Sequence, residues 1–304
     1  MRIVIAGGSG FLGRPLAEAC RTDGHAVTIL TRAVHAAQPG LVPWTPDGRS
    51  GPWAAVLHQA DAVINLAGAS IAGARWTTKR KALLRASRLL ATRSLVEAIT
   101  QQPRPPSVLL SGSAVGYYGP HGEEPVTEGT PKGSDFLAEL AAAWEDAAAP
   151  VARAGVRLVC LRTGLALAPD GGVLGRMLLP YRLGLGGRLG SGRQYVPWVH
   201  RRDWIDLVRW ALVTPALEGA INVSAPEPVS NAAFGATLAR LLHRPFVAHV
   251  PAFALRTALG ELAEALLTGQ RARPDRAVER GFQFRWPSLE PALRDLLKLA
   301  DPDR

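Results

Sequence analysis

The sequence predicts an α/β fold in which a doubly wound parallel sheet is followed by a smaller, mostly helical C-terminal domain. Over the first 165 of the 304 residues, short apolar runs alternate with segments of helical period, which is typical of a parallel sheet covered on both faces. A glycine-rich turn directly follows the first apolar run. Beyond residue 165 the alternation ends, and glycines and prolines divide the chain into shorter segments.

The first element is a strand at residues 3–5, which leads into the pattern Gly7-x-x-Gly10-x-x-Gly13. In turns that bind dinucleotides, the first glycine permits the tight turn and the second lets the backbone approach a pyrophosphate. The third lets the following helix, predicted at residues 11–21, pack close to the sheet with its free N–H groups facing the phosphates. A glycine turn without a ligand is the alternative. The position between a strand and a helix favours a dinucleotide site.

The other elements follow in order along the chain. Further strands of the sheet are predicted at residues 26–30, 62–66, 108–110 and 156–161, and long helices at residues 78–98 and 136–153. The connections are long enough for right-handed helical crossovers. The second half is predicted to contain a glycine-rich loop or lid at residues 183–192, strands at 195–200 and 221–223, and helices at 203–213 and 230–242. Asp203 lies where the first of these two helices needs an N-cap.

These elements suggest two domains. Residues 1–165, together with about 194–224, are assigned to the dinucleotide-binding domain, and residues 166–193 and 225–304 to the smaller cap. The cap is expected to cover the carboxyl edge of the sheet, so that a ligand would lie in the cleft between the two.

Composition restricts the class of protein. A hydrophobic content of 47% is ample for a full core, and no apolar run is long enough to span a bilayer. No basic region leads into a cleavable apolar segment before the first strand. Cys20 and Cys160 fall on a predicted helix and a predicted buried strand, which suits reduced core thiols. We therefore expect a cytoplasmic globular protein with no membrane partner, and no metal site is predicted.

The net charge of +10 raises the question of an acidic partner. Of the 35 basic residues 31 are arginines, a bias that codon composition can produce without any binding surface. The densest basic cluster lies between Arg75 and Arg88. It is either a solvated helix face or a site for phosphate groups. No recognised nucleic-acid module accompanies the charge, so no nucleic-acid partner is predicted.

The end of the second strand indicates which dinucleotide is bound. Folds that take NAD usually place an Asp or Glu about 20 residues past the glycines, where it holds the ribose 2′-hydroxyl. Here that place is taken by Thr31 and Arg32, and no acidic residue lies between Gly24 and Pro46. A guanidinium pairs with a 2′-phosphate through its planar fork, so the sequence predicts NADP(H). The alternative is that Arg32 is a surface residue after a strand.

Several stretches resemble one protein family. They are GGSGFLG from residue 7, NLAG from 65, Ser-Arg at 87 and 88, SGSAVGYYG from 111, FLAELAAAWE from 136, LRTG from 161, MLLPYRLGLGGRLGSGRQYVPWVH from 177, GQRARP from 269 and GFQF from 281. On these stretches the chain resembles the extended short-chain dehydrogenases/reductases, and among them the atypical, epimerase-like group of the YfcH type, which includes the human 39U class. The long stretch from 177 and the C-terminal ones are specific to this group.

The resemblance implies a Rossmann domain that binds NADP(H), followed by a small C-terminal substrate domain. The residues implied to hold the cofactor are those of the glycine turn, of two strand ends, of the turn after the strand at 62–66, and of the long helix: Gly7, Gly10, Phe11, Leu12, Gly13, Thr31, Arg32, Asn65, Leu66, Ala67, Gly68, Arg88 and Ser111. The resemblance does not imply a particular substrate.

The catalytic pair of the superfamily is missing. Those enzymes use a Ser, a Tyr and a Lys four residues after the Tyr, because a phenol needs an adjacent cation to act as an acid or base near neutral pH. Ser113 matches the Ser position, but the residues four places after the four tyrosines are His121, Gly122, Leu185 and Val199. Standard chemistry by a Tyr-x-x-x-Lys pair is therefore excluded.

Substitute residues are only candidates. The catalytic candidates are Ser113, Tyr117, Tyr118 and His200. The alternatives are that the tyrosines are core residues and that the histidine, at a strand end, orients a loop. The candidates for binding a substrate are Arg75, Trp76, Arg193 and Trp198. The arginines would suit an anionic substrate, and the alternative is that they are solvated. Glu145 is expected to form a surface ion pair.

Two functions remain open at this point. One is an NADP(H)-dependent oxidoreductase or nucleoside-diphosphate-sugar-epimerase-like enzyme that acts on an unidentified small molecule. The other is a regulatory or scaffold protein that has kept NADP(H) binding and lost catalysis, which the missing Tyr-Lys pair favours. The sequence does not predict the oligomeric state.

Overall fold

A computed structural model describes residues 1–32 and 39–300 of the chain. The strands are β1 Arg2–Ala6, β2 Ala26–Thr31, β3 Leu41–Pro43, β4 Ala62–Asn65, β5 Val108–Ala114, β6 Pro125–Val126, β7 Arg157–Thr163, β8 Leu165–Leu167, β9 Gly187–Leu189, β10 Tyr195–Val196, β11 Trp198–His200, β12 Gly219–Val223, β13 Val229–Ser230, β14 Ala248–Val250 and β15 Arg271–Ala272.

The α-helices are α1 Gly13–Thr22, α2 Thr78–Thr100, α3 Phe136–Ala148, α4 Gly172–Arg182, α5 Arg201–Val213, α6 Asn231–Leu241, α7 Ala252–Leu259, α8 Glu264–Leu267, α9 Asp275–Glu279 and α10 Leu289–Leu297. Short 3₁₀ helices cover Pro52–Leu57, Ile71–Gly73, Val115–Tyr118, Ala149–Ala154 and Gly260–Ala263. Within the described ranges, none of the helices combines the length and the apolar character needed to cross a bilayer.

The central sheet confirms the predicted fold class. Seven strands of the described chain lie in the order β12-β7-β5-β4-β1-β2-β3. Strand β1 pairs in parallel with both β2 and β4, which continue in parallel to β3 and β5. Ile3, Val4 and Ile5 of β1 are at most 2% exposed, because the central strand of a parallel sheet is covered on both faces.

The chain forms two compact units. The first consists of Met1–Ser113, Glu139–Arg162 and Ile205–Ile221, and one of its apolar clusters joins β1, β4 and β5 to α2. The second consists of Ala114–Ala138, Thr163–Trp204 and Asn222–Arg304. Its main cluster packs α4, α6 and α10 around the fully buried Trp198. The domain boundaries assigned from the sequence stay a prediction.

The two cysteines behave as predicted. Cys20 on α1 and Cys160 on β7 are free and buried. Burial raises the pKa of the Cys20 thiol to about 11 and that of Cys160 to about 12. Both side chains are therefore neutral core thiols at ordinary pH.

Two predictions about backbone elements were wrong in detail. The glycine-rich stretch at 183–192 contains a strand, β9, which pairs in parallel with β14. A Cβ on Gly187 would lie 2.1 Å from the carbonyl oxygen of Ala248, so the glycine allows the close strand pairing rather than a lid. The strand predicted at 195–200 is divided into β10 and β11 by Pro197, which cannot donate a backbone hydrogen bond.

Two helix predictions also need correction. Helix α3 ends at Ala148, and the rest of the predicted segment is a 3₁₀ helix with Pro150 near its start. Asp203 is not an N-cap, because α5 already begins at Arg201. Its buried carboxylate instead accepts hydrogen bonds from the backbone N–H groups of Arg285 and Trp286, at 3.0 and 2.9 Å.

Candidate functional site

The glycine turn between β1 and α1 is closed by contacts that exclude side chains. Gly7 has φ +79°, and a Cβ there would lie 2.7 Å from the carbonyl oxygen of Leu66. A Cβ on Gly13 would lie 2.3 Å from the carbonyl oxygen of Gly7, and Gly10 N donates to that same oxygen at 3.1 Å. Phe11 and Leu12, which lie between the second and third glycines of the turn, are half-buried. The backbone can therefore form the narrow cradle that a pyrophosphate requires.

The turn after β4 is held by a network of buried hydrogen bonds. Asn65 is fully buried, and its Nδ2 donates to Thr92 Oγ1 at 2.8 Å while its Oδ1 accepts from Ala67 N at 3.2 Å. The indole Nε1 of Trp144 donates to the same Thr92 hydroxyl at 2.9 Å. Asn65 thus holds the shape of the turn that touches Gly7, and its binding of the cofactor stays a prediction.

Arg88 is a buried cation beside this turn. Its side chain is 8% exposed, and within the described residues its Nη1 donates to a carbonyl, that of Leu84, at 3.1 Å. The guanidinium carbon lies 5.0 Å from the centroid of the Trp144 ring, and a Cβ on Gly68 would lie 3.2 Å from Arg88 Cγ. Burial, with a smaller effect of the Arg80 charge, lowers the pKa of Arg88 to about 10.

The positive charge of Arg88 is not paired with a carboxylate of the described chain. Among the described residues, no carboxylate forms an ion pair with Arg88, although a buried cation is costly unless it is paired. At pH 7 the side chain is still charged, since its pKa stays well above neutrality. The site next to the glycine turn therefore has an uncompensated positive charge.

The remaining candidate cofactor residues lie at the end of β2 and in the middle of β5. Thr31 at the end of β2 is buried, while Arg32 is exposed and has no hydrogen bond or ion pair within the described ranges. Ser111 on β5 is paired in register with Asn65, and its hydroxyl is buried without a partner among those residues. The predicted cofactor residues of the first unit thus include a cation and a hydroxyl that have no partner among residues 1–32 and 39–300.

The Ser113 hydroxyl is hydrogen-bonded to a largely buried ion pair. Its Oγ donates to Glu145 Oε1 at 2.6 Å, and Arg162 binds the same carboxylate through Nε and Nη2 at 2.8 and 2.9 Å. The side chains of Arg162 and Glu145 are 6% and 16% exposed. The expectation of a surface pair for Glu145 was wrong, because α3 turns this residue towards the end of β7 rather than to solvent.

Sequence reasoning therefore missed Glu145 and Arg162. Both lie in stretches on which the family resemblance rests, FLAELAAAWE and LRTG, and that was the available signal. With its proton directed at Glu145, the Ser113 hydroxyl presents lone pairs to any ligand, which suits a ligand that donates a hydrogen bond.

The two adjacent tyrosines differ in environment. Tyr118 is fully buried beside Val115, Val126 and Ala272, and its hydroxyl donates to Asn222 Oδ1 at 2.6 Å. Tyr117 is half-buried and packs edge-on against Tyr118, with ring centroids 5.5 Å apart. These contacts favour the core alternative for Tyr118, and a catalytic role for either tyrosine stays a prediction.

Both ring nitrogens of His200 are already used. Nδ1 accepts from Arg202 N at 3.1 Å, so the proton is on Nε2, which contacts Asp295 Oδ2 at 3.1 Å. The ring stacks on Trp286 with centroids 3.7 Å apart. This geometry favours the alternative that His200 orients the chain at the end of β11.

The pKa of His200 gives a testable effect on stability. Burial lowers it from 6.5 to about 4, against the opposing effect of Asp295 and with smaller contributions from Arg201 and Arg202. The folded state thus binds the proton less readily than the unfolded state. The associated stability is complete above pH 6.5 and is lost as the pH falls towards 4, by up to about 3 kcal/mol.

Urea unfolding of the wild type and of His200→Gln at several pH values measures this loss. The free energy of unfolding of the wild type should fall more steeply than that of the variant between pH 6.5 and 4. Parallel curves would show that His200 does not titrate in that window.

The substrate candidates lie in different environments. Arg193 forms an exposed ion pair with Glu123 at 2.7 Å. Trp198 is fully buried, and its Nε1 donates to the carbonyl of Glu227 at 3.1 Å. Trp76 is 8% exposed, with its Nε1 bonded to the carbonyl of residue 71, and Arg75 next to it is exposed. These contacts favour packing roles for the two tryptophans, and substrate binding at the four positions stays a prediction.

The parallel sheet, the glycine turn and the Ser113 position define a Rossmann-type α/β protein with the architecture of the short-chain dehydrogenases/reductases. Residues 3–224 match the NAD dependent epimerase/dehydratase family, and residues 250–296 match a domain of unknown function, DUF1731. The chain belongs to the NAD dependent epimerase/dehydratase family.

Individual relatives support the same assignment and confirm the resemblance seen in the sequence. The chain is 40% identical over 293 residues to an epimerase family protein of Mycobacterium bovis, covering 96% of each chain. It is 40% identical over 301 residues to the epimerase family protein YfhF of Bacillus subtilis, covering 98% of each. The crystal structure of the human epimerase family protein SDR39U1, isoform 2, with NADPH is similar, with 34% identity, a TM-score of 0.89, and coverage of 98% of this chain and 99% of the human one.

Proposed function

We propose that the chain binds NADP(H) through its first compact unit and acts as an oxidoreductase or epimerase-like enzyme on a small molecule, without a Tyr-Lys pair. The observation that carries the proposal is the buried guanidinium of Arg88, which no carboxylate of the described chain pairs with, beside the turn that touches Gly7. A dinucleotide pyrophosphate supplies the negative charge that this site lacks.

Other residues of the same unit fit the cofactor. The glycine turn would receive the pyrophosphate, and the Ser111 hydroxyl, which has no partner in the described part of the chain, would gain a hydrogen bond from the bound molecule. Arg32 would hold the 2′-phosphate, since its guanidinium is exposed at the end of β2. The crystal structure of the human relative with NADPH supports the choice of cofactor. NADP(H), when bound, supplies a hydride, and the protein supplies its position.

Changing Arg32 to alanine tests the preference for NADPH. The variant is expected to bind NADPH about 10- to 100-fold more weakly, because it loses charge-assisted hydrogen bonds to the 2′-phosphate worth about 1.5–3 kcal/mol. Affinity for NADH should hardly change, since NADH has no phosphate at that position. Titration of cofactor fluorescence measures both constants. Arg49→Ala, at another exposed arginine, is the control. Equal affinity of the wild type for the two cofactors would contradict the assignment.

A non-catalytic regulatory or scaffold protein is the second candidate function. It is favoured by the buried hydroxyl of Tyr118, which is bonded to Asn222, and by the absence of any Tyr-x-x-x-Lys in the sequence. NADPH consumption across a panel of carbonyl compounds separates the two. Turnover that falls in Ser113→Ala while NADPH binding is unchanged supports the enzyme, and binding without turnover of any compound supports the regulator.

A further inference from the structure

We propose that the second compact unit contains a binding site for a small organic anion that has a hydroxyl next to its charged group. The site is formed by Arg271, Tyr195 and Gln194. It uses none of the residues proposed to hold the cofactor, so either proposal can fail while the other stands.

The anion would bind to Arg271. The guanidinium carbon of Arg271 lies 5.2 Å from the centroid of the Tyr195 ring, and both residues are half-buried. Its Nε is buried without a hydrogen-bond partner, and no carboxylate pairs with it among the described residues. Stacking on an aromatic ring engages the face of the guanidinium and not its N–H groups, which form the fork that binds carboxylates and phosphates.

The second group is the side-chain amide of Gln194. Gln194 is 9% exposed, and its Nε2 donates to the carbonyls of Leu189 and Leu266 at 3.0 and 2.9 Å. Because both partners of the nitrogen are acceptors, the orientation of the amide is fixed. Its Oε1 is buried and has no partner in the described chain, so it lacks a hydrogen-bond donor.

The two segments that carry Gln194 and Arg271 pack against each other. A Cβ on Gly269 would lie 2.1 Å from the carbonyl oxygen of Tyr195, so the chain before Arg271 packs directly on the chain after Gln194. Gln270 Nε2 holds this segment by donating to the carbonyl of Gly119 at 2.9 Å. β15 is paired in parallel with β6. The segment is therefore fixed in place before any ligand arrives.

The chemistry of the two groups defines the ligand. Arg271 offers N–H donors and a positive charge, and Gln194 offers an acceptor. An oxyanion fits the first and a hydroxyl fits the second. The oxyanion can be a carboxylate or a phosphate, which share this recognition.

Calorimetric titration of the full-length protein with glycerol 3-phosphate and with L-malate tests the site. Binding of glycerol 3-phosphate but not of malate would identify the anion as a phosphate. Binding of malate but not of glycerol 3-phosphate would identify it as a carboxylate. Each compound has a counterpart without the hydroxyl, propyl phosphate or succinate, which is expected to bind at least about tenfold more weakly because it leaves Gln194 unsatisfied.

Arg271→Gln should weaken binding of the active probe at least about tenfold, and Arg271→Lys should weaken it less because the charge remains. Arg273→Gln is the matched control, since Arg273 lies two residues away but is paired with Asp275 at 3.0 Å. Its affinity should equal that of the wild type. Binding of neither hydroxylated compound, equal binding of the counterparts, or an Arg271→Gln variant with unchanged affinity would overturn the proposal.

Discussion

Replacing Gly13 by alanine is expected to abolish tight NADPH binding and to destabilise the first compact unit. The added Cβ would lie 2.3 Å from the carbonyl oxygen of Gly7 and 2.7 Å from Gly8 Cα. Backbone atoms at those distances must move apart, which opens the cradle proposed for the pyrophosphate. We expect the Kd for NADPH to rise at least about 100-fold. Overpacking of this kind costs about 1–3 kcal/mol of stability.

Fluorescence titration and urea unfolding measure the two effects of the Gly13 change. Gly129→Ala is a matched control, because a Cβ at Gly129 meets no atom within 4 Å and its φ is not positive. In Gly129→Ala, the Kd for NADPH and the free energy of unfolding should both stay at the wild-type values. An unchanged Kd in Gly13→Ala would mean that the dinucleotide does not use the glycine turn.

Replacing Glu145 by leucine is expected to lower the free energy of unfolding by about 3 kcal/mol, the lower end of the range for breaking a buried ion pair. The lower end applies because the Glu145 side chain is still 16% exposed. The change removes the carboxylate that binds both Arg162 nitrogens and the Ser113 hydroxyl. Glu145→Gln keeps the shape and one acceptor, so its loss of stability should be smaller.

Urea unfolding at pH 7 gives these values. The exposed pair of Arg193 and Glu123 provides the control, because Glu123→Gln removes an ion pair that water screens. No measurable change in the free energy of unfolding is expected in Glu123→Gln. Equal effects of Glu145→Leu and Glu123→Gln would show that the largely buried ion pair bonded to Ser113 does not contribute to stability.

Much of the fold could be predicted from local pattern. The apolar runs of β1, β2 and β4 are uninterrupted because both faces of the sheet are covered, and such runs are visible in a single sequence. The boundaries were less accurate where one residue decided them. Pro197 divides a predicted strand, and Gly187 permits a strand pairing where a loop was expected.

The candidate site was predicted only in part. The glycines and Arg32 could be named as candidates because their spacing from a strand end has a known purpose, and their binding of the cofactor stays a prediction. The role of Asn65 could not, since its partner Thr92 is 27 residues away on α2. Glu145 was misplaced for the same reason, because the side of a helix that faces the core depends on what packs against it.

By itself, the sequence determined the fold class, the glycine turn, the absence of an acidic residue after β2 and the lack of a Tyr-Lys pair. These are properties of neighbouring residues, and local spacing expresses them. Only the tertiary structure decided which charges are compensated: Glu145 is bound to Arg162, while Arg88 and Arg271 have no carboxylate among the described residues. Compensation depends on distances between residues far apart in the chain, and those distances exist only once the chain is folded.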